Sequence, residues 1–170
     1  ELAWLDWTAT PAGDALTIFV QRVIALRRAH PSFRRRNFFE GKPIDGDTVK
    51  DVMWLKPDGT EMTPEDWNDE HARCLAKLIS GRGISERGPR GEMLRDDDFL
   101  LLFNAHHDEI HFMLPPAGDG GWRLLLDTAT EVLPPSENAA NVDSPPAWAQ
   151  ERYPLQSRSF VLLGCTGTRE

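Results

Sequence analysis

Apolar positions change their spacing once along this chain, near residue 40, and the change divides it into two regimes. Before it, Leu16, Phe19, Val20, Val23, Ile24 and Leu26 recur at the i, i+3, i+4, i+7 interval of one helical face. The spacing predicts one helix over residues 14–30, capped by Gly13 or Asp14, with Arg27 and Arg28 near the negative pole of its dipole. His30-Pro31 ends it, because proline pushes the preceding residue out of helical backbone. A helix of about four turns cannot bury its own stripe. It must pack on another surface or self-associate.

Beyond residue 40 the pattern is one of short strands and turns. Residues 49–56 read as a strand, ended by the proline-led turn Pro57-Asp58-Gly59. Thr63-Pro64-Glu65-Asp66 predicts a single helical turn, with a threonine cap, proline in the first position and acids beyond. Residues 73–79 read as strand or helix, and periodicity does not choose between them. Gly81, Gly83, Gly88, Pro89 and Gly91 mark a loop. Residues 99–104 and 110–114 are apolar runs around a polar segment, the pattern of a hairpin. Residues 122–126 and 160–163 supply further strands, on either side of a proline- and asparagine-rich excursion over residues 134–148. Frequent turns between short strands predict an antiparallel β-sandwich.

Composition narrows the class. The 170 residues include 27 acids and 19 bases, for a net charge of −8, with 40% hydrophobic and 27% charged positions. That fits a folded domain with or without an appendage, and excludes a disordered or fibrous chain. No apolar run approaches the roughly 20 residues of a membrane-spanning helix. The opening Glu1-Leu2-Ala3-Trp4 has neither an initiator methionine nor a basic leader region, so we expect a piece of a longer protein without a secretory signal. The acidic balance argues against nucleic-acid binding, although residues 21–42 carry seven bases against the single acid Glu40. Cys74 and Cys165 lie far apart and in no metal-ligand spacing; a count of two does not decide a disulfide, and a reducing, cytoplasmic setting fits best.

Several clusters invite a chemical reading. His106-His107-Asp108-Glu109-Ile110-His111 has the residue types of a zinc site. On a strand, however, His107, Glu109 and His111 would sit roughly 7 Å apart at each step, and a hairpin tip is ordinarily polar. Arg34-Arg35-Arg36 with Phe38 and Phe39 mixes bases and aromatics, but the run is short, and pairing with acids elsewhere in a parent protein explains it more simply. Gly81-Arg82-Gly83 lacks the remainder of a phosphate loop. Asp96-Asp97-Asp98 lacks calcium-loop spacing and reads as a charged guard at a strand edge. Cys74 has no identifiable base, and no serine elbow occurs. Of six tryptophans, Trp54 reads as core and Trp67 as an anchor of the capped turn, while Trp4, Trp7, Trp122 and Trp148 are undecided between packing and stacking on sugars. No catalytic residue, metal ligand or cofactor site is assigned.

Longer stretches resemble a known family. Glu1-Leu2-Ala3-Trp4-Leu5-Asp6-Trp7, then residues 23–36, then Trp54-Leu55-Lys56-Pro57-Asp58-Gly59-Thr60-Glu61-Met62-Thr63-Pro64-Glu65-Asp66-Trp67, and Leu100-Leu101-Leu102-Phe103-Asn104-Ala105-His106-His107 are similar to bacterial glycogen debranching enzymes of the isoamylase type. The likeness runs nearly end to end and is weakest after Pro134. It implies a fragment of an α-amylase-superfamily hydrolase that cleaves α-1,6 branch linkages of glycogen or limit dextrin. Residues 1–38 would end a (β/α)8 barrel and residues 39–170 would form the C-terminal β-sandwich. Retaining glycosidases need two carboxylates about 5–5.5 Å apart. In this family these come from barrel strands upstream of Glu1, so the resemblance carries no catalytic residue onto this chain and implies that it is inactive alone. The partners implied are the upstream barrel and, through it, a branched α-glucan, with self-association expected if the first helix is left uncovered. The alternative is an α-glucan-binding module that uses surface tryptophans, and a metal hydrolase at His106, His107 and His111 is the remote third reading.

Overall fold

The computed structural model describes residues 8, 10–44, 49–118, 120–130 and 147–166. The first helix, α1 (Pro11–Ala29), starts three residues earlier than its apolar stripe suggested. Its cap is Thr10, whose hydroxyl accepts from the Gly13 amide, and not Gly13 or Asp14. Thr10-Pro11 is the same cap-and-proline signature as Thr63-Pro64. His30 closes the helix in extended backbone, and Pro31–Arg34 forms a 3-10 turn.

Among the described residues seven strands follow: β1 (Val52–Leu55), β2 (Cys74–Ile79), β3 (Asp98–Asn104), β4 (Ile110–Met113), β5 (Arg123–Asp127), β6 (Arg152–Leu155) and β7 (Ser159–Cys165). They build an antiparallel five-stranded sheet in the order β1-β2-β3-β7-β5 and a two-stranded sheet, β4-β6. The single turn α2 (Pro64–Trp67) lies between β1 and β2, with a reciprocal capping box between Thr63 and Asp66. Gly59, at φ +83°, closes the Pro57-Asp58-Gly59 turn against Met113, in backbone that a side chain at this position would strain.

Period-2 alternation gives the large sheet two apolar faces. Leu55, Ala76, Leu100, Leu102, Val161 and Leu163 form the inner face, closed by Phe112, Tyr153 and Leu155 of the small sheet and by Trp122. Ile79, Phe99, Leu126 and Leu162 form the outer face, against which Phe19 and Leu26 of α1, with Phe33 and Phe39, are packed. The sheet is therefore the middle of three layers. The antiparallel sandwich expected from the strand pattern is what forms.

Three local expectations need correction. Residues 99–104 and 110–114 are not a hairpin: β3 is paired on both sides, by β2 and β7, and β4 crosses to the other sheet to pair with β6. Asn104 explains the crossing. Buried at 3% exposure, it donates to the carbonyls of Asp108 and Gln156 at 2.9 Å and accepts from the His106 amide at 2.8 Å, which pins the β3–β4 and β6–β7 turns to each other. The Asp96–Asp98 run guards no edge, since β3 is an interior strand; Asp96 and Asp98 are internal acceptors. Trp54 is half-buried on the outer face of edge strand β1 and is not core. The excursion over residues 134–148 lies outside the described residues up to residue 146, as do Trp4 and Trp7.

Candidate functional site

Most of the charged residues that invite chemistry hold the fold together. Asp96 accepts from His30 Nδ1 at 2.7 Å and from the Ser32 amide at 2.9 Å, tying the end of α1 to the start of β3. Burial pushes the Asp96 carboxyl up, but bonds from His30 and from the Ser32 and Asp97 amides outweigh it and hold the group below its ordinary range. A depressed folded-state pKa gives stability that is present above the unfolded value and lost as pH falls through the folded one. Denaturant midpoints measured from neutral into acid pH should therefore fall below the ordinary aspartate range, and Asp96→Asn should remove part of that slope. Asp98 accepts from the Ser80 hydroxyl and the Gly81 amide. Asp127 accepts from the Tyr153 hydroxyl at 2.8 Å, and burial together with this carboxylate raises the phenol pKa and keeps it protonated.

Arg35, from the arginine run, finds its acid within this chain. Its Nη2 lies 3.6 Å from Asp51 Oδ2, and its guanidinium sits 4.2 Å above the Phe39 ring. Arg36 and Asn37 donate backbone amides to Glu86. The run fastens the 35–41 connection to the sheet, so the expected pairing with a separate part of a parent is replaced at Arg35 by an internal one.

The histidine cluster is where sequence and structure differ in geometry. His107, Glu109 and His111 do not line a strand face, because β4 begins only at Ile110. Instead the turn brings ligand atoms of His106, His107 and Asp108 within 4.8 Å of one another. The two imidazoles stack with centroids 4.1 Å apart. The His106 Nδ1 lone pair already accepts the Asp108 amide at 3.0 Å, and His107 and Asp108 are exposed. A metal here would find exposed side chains and no closed, oriented donor set. The arrangement fits a polar turn.

Beside α2 lies an open groove of about 250 Å³. Lys56, Asp66, Asp69, His71, Arg73 and His106 supply its polar lining, and Met62, Cys74 and Ile110 its apolar part. Burial pushes the Cys74 thiol up to about 11, so it is a protonated thiol at neutral pH rather than a nucleophile. Trp67, adjacent on α2, is 51% exposed and stands edge-on to Trp54. Sequence reasoning found Trp67 but not the groove, whose lining comes from four separated segments. Trp122 and Trp148 are committed to packing, with indole N–H groups bonded to the carbonyls of Pro115 and Arg152.

The charged clusters of this sandwich are spent largely on internal ties, and comparison with known proteins places it in a family. Residues 51–164 match the family described as isoamylase, C-terminal, and the chain belongs to that family. It is 45% identical over 165 residues to a protein of Mycobacterium tuberculosis named glycogen operon protein GlgX homolog, an alignment that covers 96% of this chain and 22% of that protein. It is 29% identical to the isoamylase of a Flavobacterium species, covering 94% of this chain and 20% of the relative. It is 34% identical over 125 residues to the glycogen debranching enzyme of Pectobacterium carotovorum, covering 73% and 15%. The chain thus spans 15–22% of the length of these curated relatives.

Proposed function

We propose that this chain is the closing sandwich module of a glycoside hydrolase that cleaves α-1,6 branch linkages of glycogen or limit dextrin, and that the module has no catalytic carboxylate of its own. Residues 1–38 end the catalytic barrel and residues 39–170 form the sandwich, in a cytoplasmic enzyme whose two cysteines here are free thiols.

The observation that carries this reading is the two-sided apolar character of α1. Phe19 and Leu26 pack on the outer face of the sheet. Leu16, Val20 and Ile24 recur at i, i+4 and i+8 on another line and stay 63%, 44% and 44% exposed. A helix with one apolar line seated and another in water is suited to lie between two bodies. The sandwich is one. The other, on this reading, is an upstream catalytic unit, and relatives of which this chain covers about a fifth leave room for one.

Hydrogen exchange tests this. Amides of residues 16–24 should exchange quickly in the 170-residue chain and be protected in a longer natural chain that includes the upstream unit. The isolated chain should also self-associate, and Val20→Lys with Ile24→Lys should render it monomeric without lowering its melting temperature. Equal exchange in both chains, with a monomeric wild type, would contradict the reading.

A further inference from the structure

We propose that α2 and the groove beside it form a surface site for a linear stretch of α-1,4-linked glucose, with Trp67 as the stacking platform. Trp67 is the tryptophan most open to solvent among the described residues, yet its ring is held: it stands on Trp54 with centroids 5.5 Å apart and planes at 81°. The turn beneath it is locked by the Thr63–Asp66 capping box and by Lys56, whose Nζ lies 3.4 Å from Asp66 Oδ2. A flat apolar ring fixed in water offers the surface on which the C–H face of a pyranose packs, at little cost in side-chain freedom.

The groove supplies what a platform alone lacks. Asp66 precedes Trp67 by one residue, about 100° around the turn, so platform and groove occupy adjacent sides of α2. The formally charged groups of the groove are two acids, Asp66 and Asp69, and two bases, Lys56 and Arg73. With histidines neutral they balance, which suits an uncharged, hydroxyl-rich ligand better than a phosphate or carboxylate. Both sugar hydroxyl roles are served: carboxylate oxygens accept, and the Arg73 guanidinium donates. His106 adds a donor, since its Nδ1 is taken by the Asp108 amide and the neutral ring then carries its proton on Nε2. The choice of glucan among neutral polyols rests on the debranching-enzyme reading above.

Titration of the 170-residue chain with maltoheptaose, followed by calorimetry and tryptophan fluorescence at low and high salt, tests the site. Saturable binding is expected, insensitive to salt because no ion pair with the ligand is made. Trp67→Ala and Arg73→Ala should each weaken it about ten-fold or more, with melting temperature and circular dichroism retained, and Trp67→Phe should keep most of the affinity. Absence of saturable binding, binding unchanged in Trp67→Ala, or an effect of that variant on self-association alone would overturn the proposal. None of these outcomes touches the debranching reading, which is judged by hydrolysis in the longer chain.

Discussion

Asp51→Ala is expected to destabilise the domain by about 3–5 kcal/mol, the usual cost of removing one partner from a buried ion pair. The Asp51 carboxylate accepts from the Glu40 amide at 2.9 Å and the Gly41 amide at 2.8 Å, and faces the Arg35 guanidinium. Both side chains of the pair are over nine-tenths buried, and Arg35 Nε and Nη1 have no hydrogen-bond partner. Arg35 therefore depends on Asp51 and on the Phe39 face for compensation. Lys77 lies over the same ring at 4.3 Å, so without Asp51 two cations would share a half-buried site. Asp51→Asn, which keeps an amide oxygen as acceptor, should cost less. Denaturant unfolding with an unchanged slope is the measurement.

Phe99→Ala is the second large effect, expected at about 3–5 kcal/mol, with a structural consequence that truncations on the inner face of the sheet lack. Phe99 is fully buried on the outer face of β3 and meets the His30 ring at 4.7 Å and the Phe33 ring at 4.6 Å. Its removal takes the floor from beneath the end of α1. Phe112, equally buried on the inner side, touches a different core. Phe112→Ala should cost a similar amount of stability while α1 stays seated. Hydrogen exchange of residues 25–30 separates the two: faster under conditions favouring the folded state in Phe99→Ala, unchanged in Phe112→Ala.

These two sites show which parts of the structure are legible in the chain. The helix, the capped turn at Thr63, the turn at Gly59 and the strands carrying Leu100, Leu124 and Val161 follow from local patterns that hold wherever the segment sits. Pairing does not, because an apolar run states that it is buried and not against what. The polar stretch between β3 and β4 has the composition of a hairpin tip, and distant partners, among them the Gln156 carbonyl bonded by Asn104, make it a crossing between sheets. β6 escapes notice for a related reason: four residues with an arginine and a proline show just one alternation, Tyr153 and Leu155, and Pro154 is tolerated because β6 is an edge strand among the described residues. Thr10 was readable by the rule that identifies Thr63. The groove beside α2 was not, since its lining is assembled by tertiary folding.

The proposed function implies a division of labour within a larger enzyme: chemistry upstream, a packed sandwich here. Reducing ends released from pullulan and glycogen measure it directly, with the 170-residue chain and a natural chain extended to the length of its relatives assayed side by side. The account predicts none from the first and release from the second. Hydrolysis by a clean preparation of the 170-residue chain, abolished by mutating one of its own residues, would contradict it, as would an extended chain that folds and leaves both substrates intact.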